Sequence, residues 1–110
     1  TMNTETIAMT LIAHSGDART FAFQALQYAK KNDPEKARQM MEQSGQALLE
    51  AHQAQTALLS AEADGQNPEI NVLLIHAQDH LMTSMLAQEM IGEMMEMYEQ
   101  FNTHDKEEEQ

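Results

Sequence analysis

Between Pro68 and Phe101 the chain carries its longest apolar-periodic run, and this run also holds its densest polar cluster. Wound as a helix at about 100° per residue, it shows apolar residues on almost every side. Leu74, Leu81, Met85 and Met95 fall on one face, Ile75, Met82 and Leu86 on a second, and Leu73, Ala77, Ile91, Met94 and Tyr98 on a third. A helix that is apolar nearly all round belongs in the middle of an assembly, so the rest of the chain reads as packing for this segment.

The same winding sets Asp79, Thr83, His76 and His80 across one arc of roughly 100°. Two turns on, that arc is taken by Ala87, Met90, Met94, Met97 and Tyr98, so the polar group is a local insert in a hydrophobic face. If the insert is buried, each unpaired carboxylate or imidazole costs several kcal/mol. Groups kept despite such a cost are candidates for chemistry. A lone histidine on an apolar face is ordinarily a satisfied core residue, but three ionisable groups within one turn bring chemistry level with packing as a reading.

At 110 residues the chain fits one domain, and a chain this short buries only about two-thirds of its unfolded surface by itself. Further copies would add to that burial. With no cysteine there is neither a disulfide framework nor a thiol nucleophile, so any thiol in a relay belongs to a partner. Eighteen acidic against six basic residues give a formal charge of -12, which argues against nucleic acid as a partner. That field favours encounter with a basic protein surface, although solubility alone accounts for most of it. No apolar run approaches the roughly 18 residues of a membrane span, and no basic region precedes the short apolar stretch near the N-terminus. The expectation is a cytoplasmic protein, neither exported nor inserted by its own sequence.

Three helices are expected. The first covers about residues 4–32, with Ile7, Leu11, Ile12, Ala18, Ala22, Ala25, Leu26 and Ala29 at helical spacing; Gly16 within it predicts close helix approach or a local bend. Asn32-Asp33-Pro34-Glu35 starts the second, with Asp33 as cap and Pro34 in the first turn, and Ala37, Met40, Met41, Ser44, Leu48, Ala51, Gln55, Leu58 and Leu59 carry it to about Ala63. Gly65 ends it, and Asn67-Pro68 predicts the start of the third. Two short loops between three long helices give an all-α, antiparallel three-helix bundle. Residues 103–110, acidic and polar, are expected to be a disordered tail without chemistry, His104 included. Of ten methionines, six lie between Met82 and Met97, and at helical spacing they read as adaptable core or subunit interface.

Chemically, a neutral imidazole carries a free ring nitrogen that can attack a phosphoryl group, giving a phosphoramidate still reactive enough to pass the group on. Such transfer depends mainly on alignment and charge stabilisation. The string Ile75-His76-Ala77-Gln78-Asp79-His80-Leu81-Met82-Thr83-Ser84-Met85-Leu86-Ala87 resembles the active-site helix of the enzyme IIA components of the bacterial phosphoenolpyruvate-dependent sugar phosphotransferase system (PTS), lactose/cellobiose (chitobiose) family. His14-Ser15-Gly16-Asp17-Ala18-Arg19 resembles that family's first helix, and the residues from Ala47 to Thr56 its second. The resemblance covers roughly residues 7 to 100, in order, which makes it far more specific than any single short motif.

The resemblance implies a IIA-type domain over residues 1–102, three copies of which form a homotrimer with the third helices at the centre. It implies that His76 is the phosphorylated nucleophile, and that Asp79 faces its two symmetry mates across the trimer axis. Three converging carboxylates repel unless a cation intervenes, so one Mg2+ per trimer is the expected cofactor. Asp79 shares a stripe with Ile75, Met82 and Leu86, which supports the interface position. His80, one turn after His76, is a supporting residue that orients its neighbour or helps receive the phosphoryl group. Gln78 is a supporting residue expected to reach another subunit's site. Arg19 is a candidate for offsetting phosphoryl charge or for a salt bridge, and His14 for backing the site or lying part-exposed. The implied partners are HPr as donor, a cysteine of enzyme IIB as acceptor and, indirectly, the membrane enzyme IIC, in uptake of a disaccharide of the cellobiose, chitobiose or lactose class. The rival class is a non-catalytic acidic helical oligomer whose His-x-x-Asp-His cluster is structural. A di-iron bundle lacks the paired Glu-x-x-His motifs that it requires.

Overall fold

The computed structural model describes residues 3–109, with side chains as far as His104. They form three helices: α1 (Thr4–Lys30), α2 (Pro34–Ala63) and α3 (Val72–Glu109), without a strand among the described residues. The chain runs up, down and up again as a rod of 65 × 19 × 19 Å. At about 1.5 Å per residue α3 alone accounts for most of that length. The antiparallel three-helix bundle is therefore as the loop signals imply.

Local chemistry explains the helix limits. Asn3 opens α1 by accepting from the Thr6 amide at 3.1 Å. At the other end Asn32 adopts φ 60°, the Asp33 amide donates to the Tyr28 carbonyl at 2.9 Å, and the Asn32 amide donates to Ala29 at 3.1 Å. This is a Schellman closure, with an asparagine in the left-handed position usually filled by glycine. Asp33 then accepts from the Lys36 amide at 3.3 Å, and Pro34 occupies the first turn of α2. The end of α2 repeats the closure with Gly65 at φ 88°: Gln66 donates to Ala61 at 2.9 Å and Gly65 to Glu62 at 3.1 Å.

Three expectations need correction here. The third helix begins at Val72 rather than at Pro68, because the Asn71 side chain accepts from the Leu74 amide at 2.9 Å and caps it there. Pro68 disfavours helical geometry in the residue before it, and the stretch between Gly65 and Asn71 is non-helical. Secondly, the backbone stays helical from Thr103 to Glu109, where a disordered tail was expected. Glutamate and lysine are good helix formers, and no glycine or proline follows Gly92. Thirdly, Gly16 marks no close approach: an added Cβ would meet nothing within 4 Å, and α1 is unbroken around it.

Packing is carried by alanines and serines with a few larger aliphatic residues, at alternating spacings of three and four. On α1 these are Ala8, Leu11, Ser15, Ala18, Ala22, Ala25 and Ala29, and on α3 they are Leu74, Ala77, Leu81, Ser84 and Ile91. Together with Ala37, Ser44, Ala47, Ala51 and Leu58 of α2 they make a narrow seam of the kind that coiled-coil packing uses. Leu11 and Leu81 are its most deeply sealed large side chains. Ile75, Met82, Leu86, Met90 and Met97 of α3 are instead more than half exposed.

Candidate functional site

Asn71 fixes the register of α3, and the buried faces of Leu74, Ala77 and Leu81 pack against Ala8, Leu11, Ala51 and Leu58. This anchors one side of the first three turns. The residues between the anchors, His76, Asp79 and His80, are turned away from that core.

The burial expected for the polar insert is not found in the single chain. His76, Asp79 and Thr83 are exposed and His80 is half-buried. A helical wheel gives the direction of a side chain but not which directions α1 and α2 cover, and here they cover the opposite flank. The chemistry of the insert therefore rests on geometry and access rather than on a desolvation penalty.

His76 and His80, four residues apart, lie one above the other on the helix. Their Nε2 atoms are 3.1 Å apart, with ring centroids at 4.5 Å and ring planes at 85°. In the neutral pair one Nε2 carries a proton and donates it, and the other accepts, the roles depending on the tautomers. One ring thus holds the other at Nε2. The contact follows from the spacing in the sequence, although the sharing of Nε2 by both rings does not.

Gln78 is half-buried. Within the single chain its Nε2 donates to Oε1 of Gln55 on α2 at 2.6 Å. That tie adds Gln55, which residue patterns along α3 could not reveal, to the groups steadying the site. Thr83 turns its hydroxyl back on its own helix, donating to the Asp79 carbonyl at 2.8 Å. The Asp79 carboxylate makes no ion pair among the described residues and lies in the open stripe of Ile75, Met82 and Leu86.

His14 and Arg19 are engaged elsewhere. His14 Nδ1 lies 2.9 Å from Glu50 Oε2, linking α1 to α2. The Arg19 guanidinium sits 5.9 Å from the Phe23 ring on its own helix, within cation–π range, and forms no ion pair among the described residues.

Among the described residues no group of three or more His, Cys, Asp or Glu could hold a metal ion, and no helix is long and apolar enough to cross a membrane. A carboxylate suits a hard cation such as Mg2+, yet one chain offers only Asp79 at this place. Such an ion fits only where carboxylates of several chains converge.

The chain and its fold are similar to known proteins. Residues 6–99 match the family model described as PTS system, Lactose/Cellobiose specific IIA subunit. The chain is 48% identical over 95 residues to the PTS system N,N'-diacetylchitobiose-specific EIIA component of Escherichia coli (strain K12), covering 86% of this chain and 82% of the relative. Its structure is similar to that of the PTS cellobiose-specific enzyme IIA from Bacillus anthracis, with a TM-score of 0.90, 42% identity and 94% of each chain covered. It is also similar to a chain in the solution structure of the IIA(Chitobiose)-HPr complex of the Escherichia coli phosphotransferase system, with a TM-score of 0.79, 44% identity and 93% of this chain and 99% of that chain covered.

Proposed function

The chain belongs to the lactose/cellobiose-specific IIA family of the PTS, and from that membership we propose that it is a cytoplasmic phosphoryl carrier whose acceptor is His76. The observation that carries the reading is the exposed His76 ring, paired at Nε2 with His80 on a helix pinned to its bundle. A carrier site must admit two protein partners in turn, and an imidazole on an open helix face can do so.

The donor is phospho-HPr, a choice supported by the HPr complex of the related chitobiose IIA. The Nε2 lone pair of His76 attacks phosphorus, the donor's P–N bond breaks, and the donor imidazole leaves with the bonding pair. In the second half-reaction a thiolate of enzyme IIB attacks phosphorus and the P–Nε2 bond breaks, restoring His76. Enzyme IIC is then served indirectly, in the uptake of a disaccharide of the cellobiose, chitobiose or lactose class. His80 donates its Nε2–H towards the transferring group, and Gln78, held by Gln55, stiffens the turn between the two rings. A hydrogen bond to a charged group contributes about 1.5–3 kcal/mol, so His80→Gln slows transfer by about tenfold to a hundredfold.

The active assembly is a homotrimer with α3 innermost, supported by the uncovered stripe of Ile75, Met82 and Leu86 that includes Asp79. Three Asp79 carboxylates on the axis would hold one Mg2+, which when bound offsets their mutual repulsion.

The test is incubation of the protein with phosphoenolpyruvate and the general carrier proteins. The expected product is an acid-labile phosphate on His76, absent from His76→Gln. An acid-stable phosphate, or labelling retained by that variant, would defeat the reading in favour of a non-catalytic helical oligomer.

A further inference from the structure

We propose that His76 and His80 together form a chelating site for a borderline divalent transition ion of the Zn2+, Ni2+ or Cu2+ class, and that occupation of this site and phosphorylation of His76 exclude each other. The second half of the proposal rests on the phosphoryl-carrier reading above; the first stands on geometry alone.

Two imidazoles that ligate one ion bring their nitrogens close without touching. With Zn–N at about 2.05 Å from each nitrogen, a separation of 3.1 Å corresponds to an N–Zn–N angle of roughly 100°, between octahedral and tetrahedral values. The ring positions point the same way. Two rings aimed head-on across this gap would hold their centroids about 5.4 Å apart, whereas rings converging on a shared ion hold them at about 4.8 Å. The observed 4.5 Å lies on the convergent side. Once a metal ion displaces the shared Nε2 proton, both Nε2 lone pairs can reach one point beside the helix, and the four-residue spacing keeps the rings there without a loop to order.

Imidazole selects Zn2+, Ni2+ and Cu2+ over Mg2+, which prefers oxygen. The site is therefore chemically distinct from the Asp79 carboxylates, although the two are neighbours in sequence. No third His, Cys, Asp or Glu joins the pair among the described residues, so water completes the coordination and the ion exchanges readily. This suits an inhibitor rather than a resident cofactor. A metal on Nε2 of His76 uses the same lone pair that would attack phosphorus, and a phosphoryl group on that nitrogen leaves nothing to coordinate.

The experiment is calorimetric titration of the full-length, unphosphorylated protein with ZnCl2, with no phosphoryl donor present. Expected is saturable uptake of one ion per chain, weakened at least about tenfold in His76→Gln and in His80→Gln, since losing a direct ligand costs no less than losing a supporting contact. Asp79→Asn should retain that uptake. Equal affinity in wild type and His80→Gln overturns the chelate, as does loss in Asp79→Asn with retention in His80→Gln, which would put the ion on the carboxylates. A second arm presents the Zn2+-loaded protein to the phosphoryl donor system purified free of chelator, with the donor proteins alone as control for their own inhibition. Slowed labelling of the wild type, restored by EDTA, supports mutual exclusion, and full-speed labelling at saturating Zn2+ refutes it. Failure to label without Zn2+ would count against the carrier reading while leaving the chelate as the first arm found it.

Discussion

Two stripes run along α3 and treat hydrophobic surface in opposite ways. The inward stripe of Leu74, Ala77, Leu81, Ser84 and Ile91 mixes three large side chains with two small ones and is sealed by α1 and α2. The outward stripe of Ile75, Met82, Leu86, Met90 and Met97 carries larger side chains and is open. A chain folding for itself alone would bury the outward side chains as well, since full burial of a Leu, Ile or Met side chain contributes about 1.5–3 kcal/mol. The contrast teaches that the three-helix bundle solves half of the packing of α3. Exposed apolar surface of this extent marks an interaction face, and the exposed His76 and Asp79 of the polar insert lie on or beside it.

The strongest way to break this distinction is to truncate one leucine in each stripe. Leu81→Ala leaves a cavity in the inward seam and should cost about 2–5 kcal/mol of unfolding free energy. Leu86→Ala opens no cavity within the chain. Its effect should appear instead as a loss of the concentration dependence that an oligomer gives to its unfolding. Urea denaturation at two protein concentrations measures both, and equal, concentration-independent losses from the two substitutions would remove the difference between the stripes.

A smaller effect sharpens the outward stripe itself. If three copies of Asp79 meet, each pair of carboxylates held about 4 Å apart repels by about 1 kcal/mol even at the dielectric constant of water. Asp79→Asn should then hold the assembly together in EDTA at protein concentrations about tenfold lower than the wild type needs. Light scattering along a dilution series would report this as a mass that stays at three times the 12.4 kDa of the chain. A mass equal to that of one chain for both proteins at every concentration would mean that the stripe serves another partner.

How much of this was legible beforehand differs from element to element. The Asp33-Pro34 start of α2 was legible because cap and proline leave one solution. The start of α3 was not, because Asn67-Pro68 and Asn71 both satisfy the capping rules and only the hydrogen bond from Leu74 decides between them. The histidine pair was legible in its four-residue spacing, and its exposure was not, because periodicity along one helix is silent about which flanks the other two cover. Gln55 escaped for a related reason: its bond to Gln78 joins residues 23 apart in sequence. The acidic end of α3 was misread because charge density was weighed without the helix propensity of the residues that carry it.

The finest test lies in the seam that seals the inward stripe, where three serines, Ser15 of α1, Ser44 of α2 and Ser84 of α3, stand among apolar residues. Ser44 Oγ donates to the Ala18 carbonyl at 2.6 Å and accepts from Gln88 at 3.4 Å. Ser15 and Ser84, equally sealed, have no hydrogen-bond partner for their hydroxyls among the described residues. A satisfied buried hydroxyl contributes about 1 kcal/mol, whereas an unsatisfied one is a net cost of similar size. Ser44→Ala should therefore lower unfolding free energy by about 1 kcal/mol and Ser84→Ala should raise it by about as much, a difference in sign that thermal melts at fixed concentration resolve. A loss from Ser84→Ala would mean that its hydroxyl gains a partner on assembly or from bound water, and the inward stripe would then depend on its surroundings as the outward one does.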